Sequence, residues 1–505
     1  MSEVPPGVAA PREPRQLAVL VTVVALIAIG LLVYSQTQAF AWDEGYHLLA
    51  AQLILAGKRP YLDFLFVQTP LNAYWNAGWM ALLGQSWHPV HAVAALLTAG
   101  AVLLAADFAL VRFPVPSWRL AAALIVALAF GLNAAVFEFG TVGQAYGLCL
   151  FLSIAAFRLA VPALERDAPV TIFLAGLCAG GTAASSLLTA PVPLVLLAWI
   201  IIQGPPQARV QRALGFVAGL VLAFLPVLIL LVQGPRQVLF GTVGFHVHYR
   251  NVDWATHAFD HDFGVLLSWI DSGQALLMGL LTLGALVLVT TQTDWMESQR
   301  APFMLCGWLA LALGVLISTA HPTFTWYYLL LVPFLALLTP VGLYGLSVKL
   351  GYASHPLRSA LALMLLIAVG LTRSLHSDAD DLQWRDYEEL ARKVDAVTPR
   401  DARLFADEHV YFLTHRPPPE GQTMQDSHKI EVSPALAALL HVVPQGQVER
   451  RIRAGYYDTV VMCDADSVAR LGLAQLYARQ QAFPTLDCTV FWQRAGVQQR
   501  DSRGP

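Results

Sequence analysis

The sequence predicts a mainly α-helical, polytopic membrane protein: a bundle of about eleven spans that carries a small α/β domain at its C-terminal end. Three observations predict it. Of the 505 residues, 56% are hydrophobic and only 13% charged, against roughly 25% charged in ordinary soluble domains. Mean hydropathy is +0.56, too apolar to cover a soluble surface. The apolar residues gather into runs of membrane-crossing length, and residues 377–505 revert to a charged, turn-rich composition.

Residues 1–16 are polar and proline-rich and read as a cytoplasmic disordered tail. The run from Leu17 to Gln36 follows. At 1.5 Å per residue it spans a bilayer, and it is too long for the core of a signal peptide. Further runs lie near 90–112, 118–137, 145–163, 170–188, 190–204, 212–232, 265–291, 301–319, 326–346 and 358–376. The pair 170–204 rests on length alone, because its halves meet at Thr189-Ala190-Pro191 without a polar loop. Residues 17–376 thus form a membrane module with two long external loops, 38–89 and 233–264. Within 377–505, residues 382–397 have helical apolar spacing, and ARLFAD (402–407), DTVVMCD (458–464) and DCTVFWQ (487–493) read as short strands.

With the N-terminus inside, eleven Lys and Arg residues from Arg12 to Arg358 fall at inside ends. Only Lys58, Arg59, Arg236 and Arg250 fall in outside loops. The positive-inside rule therefore puts the N-terminus in the cytoplasm and, after an odd number of spans, residues 377–505 outside. A net charge of −3 lacks the basic excess of nucleic-acid binders. Cys149, Cys178 and Cys306 lie in apolar runs. Cys463 and Cys488 fall on predicted strands in a compartment that permits disulfides; a pair and two separate thiols are both compatible with the sequence.

Loop 38–89 is the most informative stretch. Asp43 and Glu44 follow the first span directly. Residues 46–56 read as a short amphipathic helix ended by Gly57, and 71–83 as an aromatic-studded helix too short to span, hence interfacial. The paired acids have two compatible readings. They cap a helix start, where carboxylates favour the positive end of the dipole, or they supply a general base beside a membrane cleft.

The succession W-D-E-G-Y (42–46), G-x-x-P-Y-x-D-F (57–64) and Q-x-P-L (68–71) resembles the GT-C superfamily of polyprenyl-phosphate-sugar glycosyltransferases. The resemblance is to bacterial glycosyltransferase family 39, relatives of protein O-mannosyltransferases and the lipid A aminoarabinose transferase. It is sharp over 41–84, weaker over 133–200 and 321–338, and vague in the tail. It implies a GT-C fold and transfer of a hexose or pentose from a lipid-phosphate carrier to a lipid, glycan or protein acceptor outside the plasma (inner) membrane. It also implies inversion at the anomeric carbon, with Asp43 as base and Glu44 as the second member of its acidic pair. Where the aminoarabinose branch has Lys-Pro-Pro-Leu, this chain has Gln68-Thr69-Pro70-Leu71, and Gln68 brings no charge to the donor phosphate. Lys58 and Arg59 are the candidate replacements; they read equally as surface anchors. Tyr61 and Gln68 are candidate substrate contacts.

Loop 233–264 crowds His246, His248, Arg250, Asp253, His257, Asp260, His261 and Asp262 near the membrane. Arg250 suits phosphate through its planar fork. On a strand His246 and His248 share a face, fit for substrate contact. With Asp260 and Asp262 they offer a divalent metal its donors, although no known ligand spacing supports one. No motif specifies a cofactor. Charges inside the spans are informative because they are costly there. Asp107 is expected to pair with Arg112 or snorkel. Glu138 is expected to contact sugar, assist the base or sit as an interfacial acid. His321 and Tyr327 are expected on the donor phosphate or substrate, or within an aromatic belt. The alternative function is a transporter or flippase. No internal repeat favours it, and the polar residues cluster at one surface instead of mid-membrane.

Overall fold

The computed structural model describes residues 12–37, 39, 43–165, 168–204, 206–248, 257–291, 294–377, 382–424 and 431–495. The first helix, α1 (Pro14–Ser35), is followed by α2 (Glu44–Leu55) and α3 (Leu71–Leu83) in the first long loop. The chain then forms α4 (Trp87–Arg112), α5 (Arg119–Gly131), α6 (Ala134–Phe139), α7 (Tyr146–Glu165), α8 (Pro169–Ser185), α9 (Pro191–Gln203) and α10 (Arg209–Gln233). The second long loop contributes the short α11 (Pro235–Leu239) and α12 (Phe245–His248). The membrane helices close with α13 (Ala258–Asp271), α14 (Gln274–Thr290), α15 (Arg300–Thr319), α16 (Val332–Lys349) and α17 (Pro356–Ser377).

Each of the eleven predicted runs corresponds to an apolar helix. Seven are long and apolar enough to cross a membrane alone, and α5, α8 and α9 are shorter. The remaining run is bent by 86° between α13 and α14, at Ser272-Gly273, where Gly273 takes a φ of +73° that suits glycine. The run 118–137 stops early. Helix α5 ends at Gly131, and the Asn133 side chain accepts from the Val136 amide to start α6. Many large apolar side chains on the long helices are exposed, among them Leu26, Ile29, Val33, Leu214, Val232 and Leu365. That is the surface a bilayer covers, and the chain is a multi-pass membrane protein. Where α8 meets α10, a Cβ on Gly176 would lie 1.9 Å from the Phe216 carbonyl, and one on Gly219 would lie 2.0 Å from that of Phe173. Only glycine allows helices this close.

At the end of the bundle where α1 begins and α4 ends, Asp107 is clamped by Arg12 through two bonds of 2.7 and 2.8 Å, and by Arg158. Asp107 thus draws cations from α7 and from the residues that lead into α1. They satisfy a charge that would otherwise be expensive.

The other end carries α2, α3 and the C-terminal domain. That domain begins with α18 (Trp384–Val397), followed by strand β1 (Leu404–Phe405) and helix α19 (Glu408–Thr414). Strands β2 (Thr459–Met462), β3 (Tyr477–Phe483) and β4 (Cys488–Arg494) complete a sheet of order β1-β2-β4-β3. The pair β1-β2 is parallel; β2-β4 and β3-β4 are antiparallel. The three predicted strands are β1, β2 and β4. Strand β3 is an addition, an edge strand whose central residues 478–482 are all exposed and so lack the alternation that marks a half-buried strand. Cys463 and Cys488 form a disulfide.

Domain and bundle share a core. Leu48 and Leu49 of α2, Met80 of α3 and Val90 of α4 pack in one buried cluster with Trp384, Leu390, Val410 and Phe412.

Candidate active site

Asp43 is the residue before α2, and its side chain forms no capping bond to the helix. It remains partly exposed. Glu44, by contrast, is 0% exposed. Its Oε1 accepts from the Gly143 amide and is bonded to His91 Nε2. The other ring nitrogen, Nδ1, lies 2.6 Å from the Ser35 carbonyl, so the imidazole is fixed at both ends. The Gly143 carbonyl accepts from Asn76 (2.7 Å) and Asn72 (3.1 Å) of α3. Glu44 therefore ties α2 to α4 and to the chain after α6. Its position is that of a residue orienting its neighbour, while Asp43 stays partly exposed. His47, one turn on, is also buried; burial, opposed by Glu44, depresses its imidazole to about 4, and it is neutral at pH 7.

The C-terminal domain closes over this helix. The His409 ring of α19 lies on Gly45, where a Cβ would stand 2.6 Å from Nδ1. The Gln52 side chain donates to the Phe412 carbonyl at 3.0 Å. Trp87 and Trp384 stack with centroids 5.1 Å apart at 9°, and the Trp87 indole donates to Glu388 at 3.0 Å. The glycine of W-D-E-G-Y is thus required by a residue far along the chain. Asp43 and Glu408 both act on the phenol of Tyr46, so α19 brings a second acid to this end. Asp407, just before α19, is pushed up to about 6 by burial.

The other motif residues hold the segment between α2 and α3. The Tyr46 hydroxyl accepts from the Val67 amide at 2.6 Å, the Tyr61 hydroxyl donates to the Gln68 carbonyl, and His246 Nε2 donates to the Val67 carbonyl at 2.6 Å. Tyr61 is buried. The structure thus brings Tyr61, Gln68 and His246 together around one strand of backbone. His246 and His248 do not share a strand face, since both lie on α12; His248 is exposed. Lys58 is exposed. Arg59 is exposed and engaged by Asp63 through two side-chain bonds of 2.9 Å, which also hold the Asp63 carboxyl below its ordinary value. Glu138 accepts from Ser374 of α17 at 2.8 Å. Tyr327 is buried beside Phe324. His321 Nδ1 lies 2.8 Å from Asp262. Arg250, Asp253 and Trp42 fall outside the described residues.

Sequence reasoning missed His91, Asn76 and His409. A histidine and a tryptophan opening an apolar span were a usable signal for His91. No local pattern pointed to His409.

The architecture of short helices beside a polytopic bundle, with a terminal sheet domain, is the GT-C type of fold expected from the sequence. In structure the chain is similar to ArnT from Cupriavidus metallidurans, in the apo state (TM-score 0.67, 17% identity, 94% of this chain and 97% of that one). It is similar also to the form bound to undecaprenyl phosphate (TM-score 0.65, 15% identity, 94% and 98%). A third similar structure is the Archaeoglobus fulgidus oligosaccharyltransferase in the apo form (TM-score 0.56, 13% identity, 88% and 69%). No family model and no curated protein sequence matches the chain.

Proposed function

We propose that this protein is a membrane glycosyltransferase that moves a sugar from a polyprenyl-phosphate donor to an acceptor at the α2 end of the bundle. Asp43 takes the proton of the acceptor hydroxyl. The resulting oxygen attacks the anomeric carbon, whose bond to the phosphate oxygen breaks with inversion, and polyprenyl phosphate leaves. Glu44 positions Asp43 and does not itself react.

The observation that carries this reading is the division of labour between adjacent acids: Glu44 is buried and doubly bonded, while Asp43 stays partly exposed on the same rigid helix start. A general base must be held by its surroundings yet reach substrate. The fold supports the substrate class, since ArnT of the same fold has been captured with undecaprenyl phosphate. The phosphate needs positive charge as the bond breaks. In this proposal Lys58 and Arg250 supply it, because Arg59 already serves Asp63. In this proposal the bundle lies in the plasma (inner) membrane with its α2 end facing away from the cytoplasm, the orientation the positive-inside count favours. The acceptor is a lipid, glycan or protein hydroxyl there.

The test is sugar transfer in proteoliposomes, with radiolabelled polyprenyl-phosphate sugars offered to native lipids, glycans and proteins. Wild type should form product and Asp43→Asn should lose about 10²–10⁴-fold in turnover. Equal rates would remove Asp43 from the chemistry. If no donor yields product but lipid-linked sugar crosses the bilayer, the transport reading replaces this one.

A further inference from the structure

Among the described residues, one group of three side chains has the composition and spacing of a metal site: His261 and Asp262 of α13, and His321 from the chain after α15. Their potential ligand atoms all lie within 4.8 Å of one another. The two imidazoles approach one carboxylate from either side. His261 Nδ1 is 3.0 Å from Asp262 Oδ1, and His321 Nδ1 is 2.8 Å from Oδ2. The rings stand 6.3 Å apart at 80°. The Thr323 amide donates to Asp262 Oδ1 at 3.1 Å, which fixes the carboxylate whether or not a cation is present.

We propose that His261, Asp262 and His321 form a zinc-binding site that fastens α13 to the segment leading into α16. Two histidines and a carboxylate are hard-to-borderline donors of the kind zinc takes. Ligand atoms around a tetrahedral zinc stand about 3.4 Å apart, given bonds of about 2.0–2.1 Å. The two short distances run to different oxygens of Asp262; with one ligand atom taken from each residue, all three lie within 4.8 Å of one another, a spread that small side-chain rotations close to the tetrahedral spacing. For Nδ1 of either ring to ligate, any proton there must shift to Nε2 or leave, since only a bare ring nitrogen binds a metal. The three side chains are between 16% and 23% exposed, desolvated enough to favour the ion and open enough to admit it. Three protein ligands leave a fourth position for water or an anion oxygen.

The metal set expected from the sequence was His246, His248, Asp260 and Asp262. Only Asp262 belongs to the cluster found. His246 is committed to Val67, and Asp260 is exposed beside His257 at 3.7 Å. From His321 the chain continues to Trp326, which packs on Phe139 of α6 with centroids 5.6 Å apart. A zinc ion would thus brace the outer ends of α6, α13 and α15 together. This inference rests on side-chain geometry alone and is independent of the transferase reading.

The test uses the full chain in detergent, stripped with a chelator and titrated with zinc chloride against a chromogenic competitor. Wild type should take up one tight equivalent, unfold at a higher temperature once loaded, and give the visible absorption of a tetrahedral site when cobalt(II) replaces zinc. His321→Ala and Asp262→Asn should bind roughly tenfold or more weakly and lose the thermal shift. His257→Ala, at an exposed histidine nearby, should match wild type. His261→Gln serves in the same assay if His321→Ala elutes as aggregate. A wild type that binds no more zinc than His321→Ala or His261→Gln, or a His257→Ala variant that loses as much, overturns the site.

Discussion

Replacing Glu44 by alanine separates holding from chemistry. The side chain is fully buried and its Oε1 serves both the Gly143 amide and His91. Alanine leaves both polar groups facing a void. A buried hydrogen-bonding group deprived of its partner costs about 1–3 kcal/mol, so two cost about 2–6 kcal/mol. That is a large fraction of the roughly 5–15 kcal/mol by which domains are typically stable. Asp43→Asn removes no capping bond and leaves a side chain of the same shape, so it should leave stability within about 0.5 kcal/mol of wild type. Intrinsic-fluorescence melting in detergent, with size exclusion as the check on folding, measures the first effect; sugar transfer measures the second. The expected pattern is a strongly lowered melting temperature for Glu44→Ala and, for Asp43→Asn, an unchanged one with activity lost. A Glu44→Ala variant that melts with wild type would refute the bracing role. An Asp43→Asn variant as unstable as Glu44→Ala would make Asp43 structural as well.

Gly45→Ala should destabilise by about 1–3 kcal/mol through overpacking, because its Cβ would meet the His409 ring at 2.6 Å; adding His409→Ala should return much of the loss in a double-mutant melting cycle. Reduction of Cys463–Cys488, or Cys488→Ser, should lower the stability of the C-terminal domain by about 3.5 kcal/mol, as expected for a loop closed over 25 residues, and a non-reducing peptide map should contain the linked pair. Asp407 is protonated more readily in the folded protein, with its value raised from 3.8 to about 6. The folded state therefore binds the extra proton, and the resulting stability is full below pH 4 and lost as pH rises to 6. Asp407→Asn should flatten that slope in melting curves taken between pH 4 and 7; an unchanged slope would count against the burial of its carboxylate.

What could be read from the sequence divides along the range of the interactions. Apolar runs announce themselves because a bilayer demands a fixed length of apolar helix, and all eleven correspond to helices. The breaks within them were not legible. Asn133 reads as one polar residue in a long run until its side chain is seen capping α6, and Gly273 reads as tolerated until it turns the chain by 86°. Strand β3 carries Arg479, Gln480 and Gln481 at its centre, where an edge strand discourages pairing with other chains and so hides its own signature. Asp43-Glu44 was legible as a pair, but not which acid was buried, since His91 and Gly143 lie 47 and 99 residues away. The loop histidines suggested a metal, and the cluster found draws its third ligand from beyond α15, a choice only the tertiary fold makes.

The C-terminal domain has more to do than cover the bundle. Backbone bonds of 3.2 Å join Ala39 to Leu382 and Thr37 to Trp384, so the tail is tied to both residues flanking the exit from α1. Trp384 then stacks on Trp87, whose helix supplies His91 to Glu44, while His409 presses on Gly45. The helix start that presents Asp43 is thus held from below by the membrane helices and from above by residues more than 300 positions later in the chain. Loosening the domain should therefore act on the site without touching it. Trp384→Ala opens a buried cavity at this junction and should cost about 3–5 kcal/mol. If the domain positions Asp43, a folded Trp384→Ala variant loses turnover with little change in donor affinity, because the proposed base is misaimed while Lys58 and Arg250, the proposed phosphate contacts, are unaltered. Loss of donor affinity alone would assign the domain to substrate binding instead.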